Sequence, residues 1–147
     1  MAFRMLKADE AHWRPSNQMA VLNTDLGRQL GAETFGVRLW RIAPGQASTR
    51  HRHYETTEIY VLLEGSGRIR VGDEVLTLEP LDSLLVEPDT VRQPFNDTGA
   101  DQLWLVMGAP NEAVASTLEM TPEMLEHMYP DGPKALPPEL GGGQLTG

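Results

Sequence analysis

The chain has 147 residues, with 12 Lys plus Arg against 21 Asp plus Glu, a formal charge of −9 and no cysteine. Its length suits one compact domain with a real core, and its acidic balance argues against nucleic acid or an anionic membrane as partner, because phosphate binding depends on basic clusters. Without cysteine there are no disulfides, zinc–thiolate sites or cysteine nucleophiles.

Met1 to Lys7 carries too short an apolar run for a signal peptide, and no stretch approaches the ~18 apolar residues of a membrane span, so the cytoplasm is the expected location. Up to about Gly31 the polarity is mixed, which predicts an arm with an edge strand and turns. Phe35 to Ile42 is β-branched and aromatic and ends at the turn signal Pro44-Gly45. Ile59 to Leu63 is continuously apolar, the pattern of a strand buried on both faces. Gly65-Ser66-Gly67 interrupts it. Arg68 to Val71 and Glu74 to Leu78 then alternate around a Gly72-Asp73 turn, and shorter strands are predicted at Ser83 to Val86, Val91 to Phe95 and Gln102 to Met107. Many short strands with closely spaced turns argue for an all-β sandwich or barrel. Beyond Pro110, Asn111 is placed to cap a short helix over Glu112 to Leu118. Thr121-Pro122-Glu123 starts another that runs to about Met128, with Thr as cap and Pro at the first position. Leu118, Met124, Leu125 and Met128 would form an apolar face laid on the barrel or on a partner subunit, and the Pro- and Gly-rich stretch from Asp131 reads as an extended or mobile tail.

Chemistry concentrates between Gly45 and Gly65. His51 and His53 share one face of a strand, because side chains alternate along it, and Glu58 joins them if the chain bends once and the next strand pairs alongside. Two neutral imidazoles and a carboxylate facing one cavity suit a first-row divalent metal with open positions. The spacing G-x5-H-x-H-x4-E-x6-G, from Gly45 through His51, His53 and Glu58 to Gly65, resembles the first motif of the cupin superfamily at every fixed position.

That resemblance implies an all-β double-stranded β-helix, a jelly-roll-like cupin barrel of two facing antiparallel sheets with a short C-terminal helical segment. Residues 1–34 would be the arm and edge strand, 35–110 the barrel, and 111–147 the helical segment and tail, all in a single domain. It also implies a second motif, roughly G-x5-P-x-G-x2-H-x3-N. Anchored on Asn96, the expected histidine falls on Arg92, with Asp89 in place of Gly and Glu87 in place of Pro. Upstream, Asp82 fits a Gly-Asp pair in which Leu81 replaces the Gly. Anchored on Pro88, the ligand position falls on Gln93. Arginine has no lone pair to give a metal, and neighbours on a regular strand face opposite ways, so Arg92 and Gln93 do not both point inward.

Two readings stay open for each group. His51, His53 and Glu58 hold a divalent ion, Fe(II), Mn(II), Ni(II) or Zn(II), or the histidines are hydrogen-bonded remnants of such a site. Arg92 bridges Glu58, or it captures a substrate carboxylate or phosphate with its fork. Tyr60, on the face of Glu58, donates a proton to chemistry or only a structural hydrogen bond. Trp40, Phe95 and Trp104 line the cavity or fill plain core. Glu55 is a weaker carboxylate at the rim, and His12 and His127 read as surface residues.

The functional expectation is a protein holding a small polar or anionic organic molecule in the barrel. It would be a metal-dependent enzyme, with Tyr60 and Arg92 as candidate catalytic side chains, or a non-catalytic binding or sensing module without metal. Dioxygenases, isomerases and decarboxylating enzymes are among the relatives that the resemblance implies. A homodimer is also expected. Ile59, Val61 and Leu63 supply an apolar strand face, and small cupins cover such surface by pairing sheets or exchanging N-terminal strands. The alternative is that these side chains fill the protomer's own core.

Overall fold

The alternating and β-branched stretches become strands, as seen in the computed structural model, which describes residues 2–112 and 120–146. The strands among these residues are β1 (Arg14–Pro15), β2 (Leu22–Asp25), β3 (Gly36–Ile42), β4 (Thr57–Glu64), β5 (Gly67–Val71), β6 (Glu74–Leu78), β7 (Ser83–Val86), β8 (Arg92–Phe95) and β9 (Gln102–Ala109). Two short α-helices, α1 (Leu26–Leu30) and α2 (Pro122–Met128), and two 3-10 turns at Ala8–Glu10 and Pro138–Leu140 complete the set among the described residues, and the architecture is mostly β with few helices. The helix expected over Glu112 to Leu118 lies, past Glu112, outside the described residues.

A six-stranded antiparallel sheet runs β1-β2-β3-β9-β4-β7, and a three-stranded sheet runs β6-β5-β8. The segment from Ala47 to His51 extends the smaller sheet through bridges from Ala47 to Phe95 and from His51 to Arg92. The sheets face each other across Ile42, Leu62, Ile69 and Trp104, all fully buried. They approach so closely that a Cβ on Gly67 would sit 2.6 Å from Trp104 Cζ2, so only glycine fits there. Each large apolar side chain so buried contributes about 1.5–3 kcal/mol.

Two expectations are corrected. β4 is not buried on both faces: Tyr60 and Leu62 point inward at 2% and 0% exposure, while Ile59 is 41% exposed on the outside. Continuous apolarity therefore marks an outer face that the protomer itself leaves uncovered. The C-terminal stretch is not a loose tail. Ala135 bridges Gln144, Leu136 N–H donates to Gly143 O at 2.9 Å, and Leu136, Leu140 and Leu145 pack against the core. Its path crosses the outer face of the smaller sheet, where Arg70 pairs with Glu139 and Gln93 Nε2 donates to Ala135 O. The leucines repay the ordering of a Pro/Gly-rich chain. α2 follows its sequence signal, Thr121 Oγ1 accepting from Met124 N–H at 3.2 Å with Pro122 in the first position. Among the described residues no helix is long and apolar enough to cross a membrane.

Candidate metal centre

The chain delivers its ligands as it leaves one sheet for the other. His51 sits on the extension of the smaller sheet and is bridged to Arg92, with backbone N···O distances of 3.0 and 2.9 Å in the two directions. His53 N–H donates to Pro88 O at 2.8 Å, and Glu58 and Tyr60 then point inward from β4 of the larger sheet. Glu58 pairs with Gly108, which in turn pairs with Gly36, so the wall directly beside the carboxylate carries no side chain at those two positions. A Cβ on Gly108 would meet Thr56 Cγ2 at 2.8 Å and Glu58 Cγ at 3.3 Å.

The donor atoms converge. Glu58 Oε1 lies 3.5 Å from His51 Nε2 and 3.3 Å from His53 Nε2, and ligand atoms of all three residues fall within 4.8 Å of one another. Two ligands about 2.1 Å from one ion and 90–110° apart lie about 3.0–3.4 Å from each other, so the spacing fits a shared metal. His51 Nδ1 lies 2.8 Å from Thr49 O, and a carbonyl only accepts, so that nitrogen carries the proton and Nε2 keeps its lone pair. His53 Nε2 is buried without a hydrogen-bond partner: its 3.3 Å approach to Glu58 lacks hydrogen-bond geometry. A buried orphan nitrogen aimed at two other donors is what a metal ligand looks like without its ion.

Glu112, which sequence reasoning does not single out, stands behind His53. Its Oε1 lies 3.5 Å from His53 Nδ1 and accepts the backbone N–H groups of Glu55 and Thr56 at 2.8 and 3.1 Å. Burial raises the Glu112 pKa, but these N–H groups and the His53 charge outweigh it and hold the carboxyl below its usual value. The second carboxylate near His53, after Glu58, is thus Glu112, whereas Glu55 is exposed and contributes only its backbone N–H. No spacing rule in the sequence links Glu112 to the ligands.

Burial is also the largest influence on Glu58 and pushes it up. Contacts with His51 and His53 more than reverse this, leaving its pKa well below the usual carboxylate value. Tyr60 donates its hydroxyl to Glu58 Oε1 at 2.9 Å, and burial together with the Glu58 charge raises its pKa well above the ordinary phenol value. Tyr60 therefore acts as a donor and keeps its proton.

Arg92 is fully buried behind Glu58, with Nε 3.7 Å from Glu58 Oε1. Its Nη2 donates to Glu87 O at 2.8 Å and Val86 O at 3.3 Å, and Nη1 to Pro88 O at 3.4 Å. The Nη groups are spent on carbonyls, Nε faces Glu58 without a hydrogen bond, and the side chain is fully buried, so Arg92 does not offer its fork to a ligand in the cavity, contrary to the capture reading. The carboxylate stands between the guanidinium and the imidazoles, which relieves the repulsion a dication would feel. Gln93 points away, into the C-terminal stretch, donating to Ser48 O and Ala135 O at 2.9 Å each.

These groups open on a cavity of about 410 Å³, whose wall includes Trp40, Trp104, Met120, Met128 and Tyr129. Trp104 is core and wall at once, whereas Phe95 is core on the other face of β8. His127 stacks on Tyr54 with centroids 4.1 Å apart, and His12 is exposed.

Residues 38–108 match the family model for the cupin domain. No curated protein matches the chain in sequence. Among solved structures, the chain is similar to a sugar phosphate isomerase of the cupin superfamily from Silicibacter pomeroyi DSS-3, with 27% identity, 74% of this chain and 76% of that one covered, and a TM-score of 0.67. It shares the fold of KdgF from a Halomonas species at 14% identity, with 75% of this chain and 96% of that one covered and a TM-score of 0.65. A protein described as a predicted oxalate decarboxylase from Thermotoga maritima has the fold too, at 17% identity, 74% and 100% coverage and a TM-score of 0.65.

Proposed function

This chain belongs to the cupin superfamily, and on that premise we propose that it is a metal-dependent isomerase acting on a small hydroxylated molecule. His51, His53 and Glu58 would hold one divalent ion, Fe(II), Mn(II), Ni(II) or Zn(II). The observation that carries the reading is the buried, unpartnered Nε2 of His53, aimed at the same point as His51 Nε2 and Glu58 Oε1. When bound, the metal supplies Lewis-acid polarisation of a substrate oxygen. The chain's own residues do the rest. Thr49 O holds the His51 imidazole in orientation, Glu112 Oε1 stands 3.5 Å behind His53 Nδ1, His51 and His53 keep Glu58 ionised with Arg92 behind it, and the Tyr60 hydroxyl fixes Oε1. The likeness to the sugar phosphate isomerase supports isomerisation over dioxygen chemistry, and a hydrogen shift between neighbouring carbons needs no outside oxidant.

A second reading, a metal-free binding module, is favoured by one contact. Arg92 already neutralises Glu58 at 3.7 Å, so the pocket is electrically tolerable without an ion. Metal analysis of protein purified without an affinity tag separates the two. One equivalent of a first-row metal, with aldose–ketose interconversion by the loaded protein, supports the enzyme; none in any preparation overturns it in favour of the binder.

The proposal includes a homodimer. Met107, Ile59 and Leu85 form one rung across β9, β4 and β7 on the outer face of the larger sheet, at 41%, 41% and 54% exposure. Three adjacent half-exposed apolar side chains favour a covering partner. Light scattering on the eluting peak checks this, and a monomer at all concentrations sinks it.

A further inference from the structure

The cavity has a second charged end. Arg14 and Arg38 lie on its wall together with Ser16, Asn17 and Asn23, where β1, β2 and β3 form the edge of the larger sheet. The register Arg38–Val106–Tyr60 puts Arg38 two strands across from Tyr60, about 10 Å from backbone to backbone. Asn23, 2% exposed, ties the two arginines together. Its Nδ2 donates to Arg14 O at 3.1 Å and its Oδ1 accepts from Arg38 Nη1 at 2.9 Å. Asp25 holds Arg38 Nη2 at 2.9 Å, which fixes the guanidinium while leaving further N–H groups free. Arg14 Nη1 donates to Asn17 Oδ1 at 3.1 Å, and among the described residues no carboxylate lies within salt-bridge distance of Arg14. The carboxylates on the cavity wall, Glu58 and Glu112, are those that contact His53. In a protein of charge −9 the overall field repels anions, so a locally cationic wall is what admits one.

We infer that Arg14 and Arg38 form the anion-binding end of the cavity. They would hold the phosphate or carboxylate terminus of a small hydroxylated ligand whose other end reaches His51, His53 and Glu58. A planar guanidinium matches either oxyanion with paired hydrogen bonds. Only the placement of the far end rests on the proposed metal chemistry; the anion site stands on its own residues.

The test uses three probes on one carbon skeleton, namely glycerol 3-phosphate, glycerate and glycerol, titrated by calorimetry into the full chain as purified and after chelator treatment. Glycerol 3-phosphate or glycerate should bind at least about tenfold more tightly than glycerol, the difference one charge-assisted pair supplies, and which of the two wins identifies the terminus. Arg14→Gln and Arg38→Gln should each weaken the charged probe about tenfold and leave glycerol unchanged. Arg38→Gln also releases Asp25, which caps α1, so Arg14→Gln, exposed and free of a carboxylate, decides if that variant misfolds. Equal affinity for all three probes, no binding of either charged probe at millimolar concentration, or an unchanged Arg14→Gln overturns the inference. Arg14-dependent binding in a protein that carries no metal in any preparation before chelator treatment keeps the anion site and removes the metal reading. Full metal with Arg14-independent binding does the reverse.

Discussion

The stretch from Gly45 to Gly65 and the stretch from Leu81 to Asn96 run side by side at the same centre and reach it differently. The first supplies donors: two imidazoles and a carboxylate, each with its free atom aimed inward. The second supplies a cation and backbone. Arg92 occupies the strand position beside His51 and anchors itself on the carbonyls of Val86, Glu87 and Pro88. Pro88 O also takes the N–H of His53, so the turn that grips the arginine also fixes a ligand strand. The departures in the second stretch thus form a consistent set: a residue that cannot ligate a metal holds in place one that can.

The sharpest way to break this contrast is to remove the cation. Arg92→Met should cost about 3–5 kcal/mol, because it leaves the buried Glu58 charge and several carbonyls without their partner. Urea unfolding measures it, and a loss below about 1 kcal/mol would show that Arg92 is not the brace described here. Removing the donors should do the opposite. His51→Ala with His53→Ala should lower divalent-metal affinity at least about 100-fold, yet cost metal-free protein less than Arg92→Met does, since both ring nitrogens of His53 lack hydrogen bonds in the fold and the loss is confined to the support the pair gives Glu58. A large stability loss there would make the histidines structural.

Acid sharpens the comparison further. Glu58 and Glu112 both have folded pKa values below the unfolded one. Their contribution to stability is therefore fully present above the unfolded carboxylate pKa and is lost as pH falls through the folded values. Metal-free protein should lose stability from about pH 5 downward, and Glu112→Gln should flatten part of that slope. An unchanged slope would separate Glu112 from the site. The smallest effect concerns Leu81, which takes φ +75° at the position where the motif has glycine. Its side chain is 78% exposed, so little packing repays the strain. Leu81→Gly should raise stability by up to about 1 kcal/mol, read from the thermal midpoint.

Strand positions were legible because alternation and turn residues are local. β3, expected over Phe35 to Ile42, spans Gly36–Ile42, and β9, expected from Gln102, runs to Ala109. The ligand cluster was legible for the same reason, since His51, His53 and Glu58 lie within one short stretch. Glu112 was not, because it reaches His53 only through the course of the chain after β9. Arg14 and Arg38 become neighbours only when β2 inserts Asn23 between them. The order of the C-terminal stretch was hidden as well. Its Leu136, Leu140 and Leu145 follow neither a helical nor a strand period, and Pro and Gly dominate its composition. In β4 the sequence records apolarity on both faces but not which face the protomer covers.

The path of that C-terminal stretch sets an order of events during synthesis. β8 carries Arg92 on one face and Gln93 on the other, both fully buried, and the outer face is sealed by residues that leave the ribosome well after His51, His53 and Glu58. Until Ala135 and Glu139 arrive, the Gln93 amide and the Arg70 guanidinium face water, and the strand bearing Arg92 has only one side packed. On the proposed metal reading, the three donors would therefore emerge before the brace behind Glu58 is locked. If the proposed metal reading holds, timing as well as geometry would then select the ion.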